Sequence, residues 1–85
     1  MTAPRSPIRV LLVDDHALLR QSLRRVLRET GLEVAGEAAD GEEALRLVAE
    51  TEPDVVLMDV TMPVLDGIEA TRRLRRLRPD LPVVV

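Results

Sequence analysis

Acidic residues follow two of the apolar segments of the chain, and their placement predicts metal-assisted phosphate chemistry. Asp14 and Asp15 come directly after the apolar run of residues 8–13. Asp59 comes directly after the run of residues 55–58. Open parallel sheets form their sites at the carboxyl ends of strands, so these acids are expected to meet there. Three close carboxylates repel one another, and Mg2+ relieves this through oxygen ligands. A carboxylate beside such an ion can act as a nucleophile toward phosphorus and form an aspartyl-phosphate.

The elements that position these acids are predicted to alternate between strands and helices. Runs rich in Val, Ile and Leu predict strands, and apolar residues with a period of 3.6 predict the helices between them. Strands are predicted at residues 8–13, 32–37, 55–58 and 81–85, with the second at an edge. The resulting β-α-β-α-β-α-β order indicates a parallel sheet with right-handed crossovers.

Local signals predict where the helices begin and end. Thr30-Gly31 is a stop signal for the first helix, with Gly31 in the left-handed conformation. Asp40 and Glu43 have the spacing of a capping box before the second helix, which Pro53 ends. The same spacing recurs at Asp66 and Glu69, and Pro79 ends the third helix. The inward faces are predicted to contain Leu18, Leu19, Ser22 or Leu23, Val26 and Leu27 in the first helix, and Ile68, Ala70, Leu74 and Leu77 in the third.

The composition limits the chain to one small domain with an aliphatic core. Its 85 residues are 46% hydrophobic, and they include no aromatic residue and no Cys, which excludes disulfides and thiolate zinc sites.

Residues 1–7 are expected to be a flexible lead-in. No apolar stretch is long enough to span a membrane, so we expect a cytoplasmic protein. The net charge of −3 argues against nucleic-acid binding. The arginines of the third helix are interpreted as a solvated face, with Glu69 and Arg73 as an i,i+4 pair.

The segment after Asp59 completes a recognisable set of motifs. The chain continues there as Val60-Thr61-Met62-Pro63 and then Val64-Leu65-Asp66-Gly67. Together with the acidic pair and Asp59, this segment resembles the receiver domain of bacterial two-component response regulators. The resemblance begins at Ile8 and implies a flavodoxin-like doubly wound parallel sheet in three αβα layers. The stretches of residues 13–20 and 36–41 are most similar to the LuxR/NarL-like group, whose receivers usually precede a helix-turn-helix DNA-binding domain.

The resemblance implies a role for each matching residue. Asp59 is implied to be the phosphoacceptor, Asp15 a direct Mg2+ ligand, and Asp14 an acid that assists partly through water. Thr61 is implied to offer its backbone carbonyl to the metal, with its side chain where the family tunes the lifetime of the phosphoryl group. The residues implied to shape the loop beside the acceptor are Pro63 and Gly67.

The family also has parts that these residues do not include. Receivers have a Thr or Ser after the fourth strand and a Lys after the fifth, whereas this chain ends at Val85 and contains no Lys. Residues 8–85 are therefore expected to be a partial receiver that lacks the segments after the fourth strand. The apolar end, Val83 to Val85, is expected to favour homodimer or edge-strand association.

Simpler structural explanations exist for the same residues. Asp14 or Asp15 can serve only as the cap of the first helix. Asp59 can be a strand-end acid that accepts hydrogen bonds from loop amides. His16 is interpreted as a first-turn helix residue near the site rather than a metal ligand or a phosphohistidine, because the chain has no second His.

Three functions remain in competition. The first is a non-enzymatic signalling module that takes a phosphoryl group from a sensor histidine kinase onto Asp59 and controls an output domain. The second is a phosphatase with an aspartate nucleophile, but such enzymes need a general acid two residues after the nucleophile, where this chain has Thr61. The third is an interaction domain that is never phosphorylated.

Overall fold

The computed structural model describes residues 7–59 and 67–85. Strands and helices alternate along these residues in the predicted order. The strands are β1 (Arg9–Val13), β2 (Glu33–Ala38), β3 (Val55–Met58) and β4 (Val83–Val84). The helices are α1 (Ala17–Glu29), α2 (Gly41–Thr51) and α3 (Gly67–Leu77). None of the helices in the described residues is long and apolar enough to cross a membrane.

The strands form one parallel sheet in the order β2-β1-β3-β4. This is the first part of the 2-1-3-4-5 order of flavodoxin-like folds, so the predicted fold class is confirmed. Strand β2 lies at an edge, as predicted, and β1 lies inside the sheet. Val10 pairs with Val34 and Leu11 with Gly36, which leaves Ala35 as the extra residue of a bulge in β2.

The main core lies between one face of the sheet and the helices α2 and α3. Leu11 and Val13 of β1 belong to it, as do the alternate residues Val56 and Met58 of β3. Side chains alternate between the faces of a strand, so these residues define one face of the sheet. The helices contribute Ala44, Val48, Ala70 and Leu74 to the same cluster.

Helix α1 does not have the buried apolar face that its period predicts. None of its residues is buried, and Leu18 is 79% exposed. Leu23 borders a groove that also contains Leu12 and Leu57, on the face of the sheet opposite the main core. In the described part of the chain α1 is the only helix on that face, so no second helix covers the remaining apolar side chains of α1.

Helix α3 is rotated from the predicted orientation. Ala70 and Leu74 are buried as predicted, whereas Ile68 and Leu77 are exposed. The buried side is instead completed by Gly67 and Thr71. Residues 67, 70, 71 and 74 have the i, i+3, i+4, i+7 spacing of one helix face, and the small side chains among them allow α3 to approach the sheet closely.

The end of α1 and the start of α2 follow the predicted signals. Gly31 has φ 87°, and the backbone N–H of Leu32 donates to the carbonyl of Leu27 at 2.9 Å, as in a Schellman motif. Asp40 caps α2 by accepting from the N–H of Glu43 at 2.8 Å. The predicted Glu69–Arg73 pair is present at 3.4 Å.

Candidate metal centre

The register of the two inner strands brings the predicted acids side by side. Val13 of β1 pairs with Met58 of β3, so the residues that follow them leave the sheet at the same level. The backbone N–H of Asp59 donates to the carbonyl of Val13 at 2.9 Å, which extends this pairing to the acidic residue. Neighbouring strands lie about 4.8 Å apart, so side chains of adjacent strand ends come within reach of a shared ion.

Four side chains converge at this edge of the sheet. Asp14, Asp15, His16 and Asp59 each offer one ligand atom, and these atoms all lie within 4.8 Å of one another. Asp14 is buried, with 11% of its side chain exposed, whereas Asp15 and Asp59 are more accessible from solvent. The structure therefore brings together the three acids that the sequence predicted. Ions can reach the cluster from the solvent side.

The other predicted site residues lie in or next to the loop after β3. Thr61 and Pro63 fall outside the described residues, so their assignments stay predictions, as does the capping role of Asp66. Gly67 is described, and it is the buried first residue of α3.

Asp14 supports the start of α1 without capping it. The N-cap residue is His16, and within the described residues its side chain makes no capping hydrogen bond. Oδ1 of Asp14 accepts from the backbone N–H of His16 at 2.7 Å, before the first helical turn. The interpretation of Asp14 or Asp15 as a helix cap is therefore wrong, because the helix begins one or two residues later than that interpretation requires.

His16 makes closer contact with the acids than its position in the sequence predicted. Its Nδ1 lies 2.9 Å from Oδ1 of Asp14, 3.0 Å from Oδ1 of Asp15 and 3.9 Å from Oδ2 of Asp59. The hydrogen bond with the Asp14 carboxylate, followed by the charge of Asp15, raises the pKa of His16 above its ordinary value of 6.5. The ring is largely exposed. The sequence signal for this contact was the direct succession of His16 after the acidic pair.

The donor set fits a divalent cation. Carboxylate oxygens are the ligands that Mg2+ prefers, and Mg2+ usually takes one or two carboxylates and completes its coordination with water and phosphate oxygens. Asp15 and Asp59 are accessible enough to supply such ligands, while Asp14 lies deeper and is held by the N–H of His16. An ion here would also neutralise the repulsion among the three carboxylates.

A comparison with protein families decides the assignment of the chain. The family model described as the response regulator receiver domain matches residues 10–85. The chain belongs to this family. As a receiver domain, it has the fold that was predicted from the sequence.

Individual relatives agree with this assignment. The response regulator GacA of Pseudomonas aeruginosa is 54% identical to this receiver over 79 residues, which are 92% of the chain and 37% of GacA. The chain thus spans little more than a third of that relative. A two-component response regulator of the LuxR family from Aurantimonas sp. SI85-9A1 superposes with a TM-score of 0.85 at 47% identity, covering 92% of this chain and 56% of that one.

A third comparison involves a structure that contains a metal. The CheX-CheY-BeF3-Mg2+ complex from Borrelia burgdorferi includes a chain that matches this receiver with a TM-score of 0.87 at 32% identity. The match covers 91% of this receiver and 59% of that chain.

Proposed function

We propose that this receiver domain accepts a phosphoryl group on Asp59 with the help of Mg2+ bound by Asp14, Asp15 and Asp59. The observation that carries the proposal is the convergence of the three carboxylates at the ends of β1 and β3, with ligand atoms within 4.8 Å. Thr61 is proposed as a further ligand through its backbone carbonyl, and Pro63 and Gly67 as residues that shape the loop beside the acceptor. The presence of Mg2+ in the Borrelia complex supports the choice of metal.

The proposed reaction is a displacement at phosphorus. A carboxylate oxygen of Asp59 forms the new bond to phosphorus as the bond between phosphorus and the donor breaks, and the electron pair of that bond leaves with the donor group. Mg2+ would supply positive charge to the phosphoryl oxygens. The chain itself fixes the acceptor through the hydrogen bond from the N–H of Asp59 to Val13, and it fixes Asp14 through the N–H of His16.

The donor and the output belong to the proposal as well. Membership of the response regulator family supports a sensor histidine kinase as the phosphoryl donor, in the cytoplasm. The similarity to GacA and to a LuxR-family regulator supports an output domain that controls transcription by binding DNA. We propose that residues 8–85 are part of a larger receiver. The exposed apolar side chains of α1 and the short edge strand β4 are surfaces that further segments would cover.

Phosphoacceptance is favoured over enzymatic turnover. An aspartate-nucleophile phosphatase would need a general acid two residues after Asp59, and Thr61 is a poor proton donor for that role. An unphosphorylated interaction domain would not need three carboxylates held close together at a cost in repulsion. We therefore infer that the domain is not an enzyme and that its acids serve a metal.

The proposal is tested by phosphorylating the chain with a small donor. Acetyl phosphate with Mg2+ should add the mass of one phosphoryl group to the intact chain, and chelation of the metal should prevent the addition. Asp59→Asn should abolish it, while the remote control Asp80→Asn, which removes an exposed carboxylate before β4, should leave it unchanged. Undiminished labelling of Asp59→Asn would overturn the proposal.

A further inference from the structure

A guanidinium joins the acidic loop after β1 to the neighbouring edge strand. Arg20 of α1 donates one hydrogen bond to the backbone carbonyl of Asp14. Its Nε donates to Oε1 of Glu37 in β2 at 3.3 Å. Only 19% of the Arg20 side chain is exposed, so water competes little for these contacts. A single side chain thus connects the end of β1, helix α1 and strand β2.

The carbonyl of Asp14 lies at the junction between sheet and helix. The N–H of Asp14 still belongs to the sheet, because it donates to the carbonyl of Ala38 at 3.0 Å. The helical hydrogen bonds of α1 begin only at His16, whose carbonyl accepts from the N–H of Arg20 at 3.0 Å. Among the described residues, the carbonyl of Asp14 is in neither the β-sheet hydrogen bonds of β1 nor the helical hydrogen bonds of α1. The guanidinium of Arg20 supplies its donor instead.

Arg24 provides a natural comparison one turn further along α1. Its terminal nitrogen lies 2.9 Å from Oε2 of Glu37, so both arginines bind the same carboxylate. Among the contacts of the described residues, Arg20 alone of the two reaches Asp14. The two arginines therefore share an ion pair with Glu37 and differ in their contact with the acidic loop.

We propose that Arg20 is a positioning residue for the metal centre. By holding the backbone of Asp14, it keeps the carboxylates of Asp14 and Asp15 directed toward Asp59. Converging carboxylates repel one another before a cation binds, and a hydrogen bond that holds the backbone of the loop carrying two of them opposes this repulsion. A loop that is already ordered loses less conformational freedom when the ion binds, which increases affinity. This inference rests on the proposed function, because it assumes that the acids bind a divalent cation.

The test compares the two arginines in the whole chain. Mg2+ affinity is measured by isothermal titration calorimetry with Mg2+ alone, and unfolding is followed by circular dichroism in urea. Arg20→Gln is expected to weaken Mg2+ binding about tenfold. This is the smallest loss that is typical when a residue supporting a metal ligand is removed. Arg24→Gln should change the Mg2+ affinity far less, although each variant loses one ion pair with Glu37. Arg20→Lys keeps the charge and a donor for one of the two partners, so its affinity should fall between those of Arg20→Gln and the unsubstituted chain.

The outcomes separate this inference from the proposed function. Equal Mg2+ affinities in Arg20→Gln and Arg24→Gln would overturn the positioning role and leave Arg20 as a purely structural residue. Absence of Mg2+ binding in the unsubstituted chain would instead overturn the proposed function. If Arg20→Gln does not fold, the Mg2+ affinities of Arg20→Lys and Arg24→Lys are compared instead. Equal Mg2+ affinities of these two variants would again reject the positioning role.

Discussion

The imidazole of His16 and the carboxylate of Asp14 form a hydrogen-bonded pair, with 2.9 Å between Nδ1 and Oδ1. The same carboxylate oxygen also accepts from the backbone N–H of His16. Asp14 is therefore held by two hydrogen bonds from His16, the N-cap residue of α1. The pairing makes the charge state of His16 a reporter of the acidic cluster.

We expect His16 to titrate above pH 6.5 in the folded chain, because the hydrogen bond with Asp14 and the charge of Asp15 raise its pKa. His16 is the sole His of the chain, so its ring resonances can be followed by NMR without ambiguity. Asp14→Asn should bring the pKa of His16 back toward the ordinary value, whereas Asp80→Asn should not. A His16 pKa that is equal in Asp14→Asn and the unsubstituted chain would disprove the pairing.

The sign of the linked effect on stability follows from the raised pKa. The fold binds the proton of His16 more tightly than the unfolded chain does, so protonation stabilises the fold. This contribution is fully present below the unfolded pKa of 6.5 and is lost as the pH rises through the higher folded pKa. Because His16 is exposed, the effect is expected to be small and to weaken with added salt.

Asp59→Asn should stabilise the chain when a chelator is present. It removes one of three carboxylates whose ligand atoms lie within 4.8 Å, and relief of this repulsion is expected to raise the free energy of unfolding by about 1 kcal/mol, the interaction of two unit charges at such a distance in water. With added Mg2+ the unsubstituted chain should become the more stable of the two. A ligand at about a hundredfold its Kd stabilises the protein that binds it by about 2.7 kcal/mol, and Asp59→Asn has lost one of the ligands. Urea unfolding with and without Mg2+ checks both parts. Equal Mg2+ stabilisation of the two chains would contradict the metal site.

Two leucines, one in α3 and one in α1, differ strongly in burial. Leu74 of α3 is 1% exposed, whereas Leu18 of α1 is 79% exposed. Leu74→Ala should lower the free energy of unfolding by about 3 kcal/mol, as truncation of a core leucine does. Leu18→Ala makes the same chemical change in a helix and should alter it by less than about 0.5 kcal/mol. Similar losses in the two variants would show that Leu18 is packed against other residues, contrary to its exposure in the structure.

The strand positions and the meeting of the acids were predictable from the sequence. Continuous apolar runs predicted β1, β3 and β4, alternation with helices predicted a parallel sheet, and parallel strands end at one edge. Asp14 and Asp59 therefore had to be neighbours once β1 and β3 were adjacent, and their register confirms it. The adjacency itself came from the resemblance, because alternation does not specify strand order.

The side-chain environment of the helices was less predictable. The period of α1 shows that it has an apolar face, but it does not show whether another element covers that face, and Leu18 is exposed. In α3 the buried side includes Thr71, whose hydroxyl has no hydrogen-bond partner within residues 7–59 and 67–85. A hydropathy pattern assigns Thr to the solvent side, so this burial depends on how closely α3 packs. Likewise, the contacts of Arg20 depend on the path of a long side chain, which spacing does not determine.

The most direct test of Asp59 as the phosphoacceptor locates the phosphoryl group on the chain. An acyl phosphate is reduced by borohydride to an alcohol, so treatment of the acetyl phosphate-labelled chain would convert the modified aspartate to homoserine. Peptide mass mapping should then find homoserine at position 59 only, and only when Mg2+ was present during labelling. Homoserine at position 14 or 15, or a label that forms equally well without a divalent metal, would contradict the assignment of Asp59 as the acceptor.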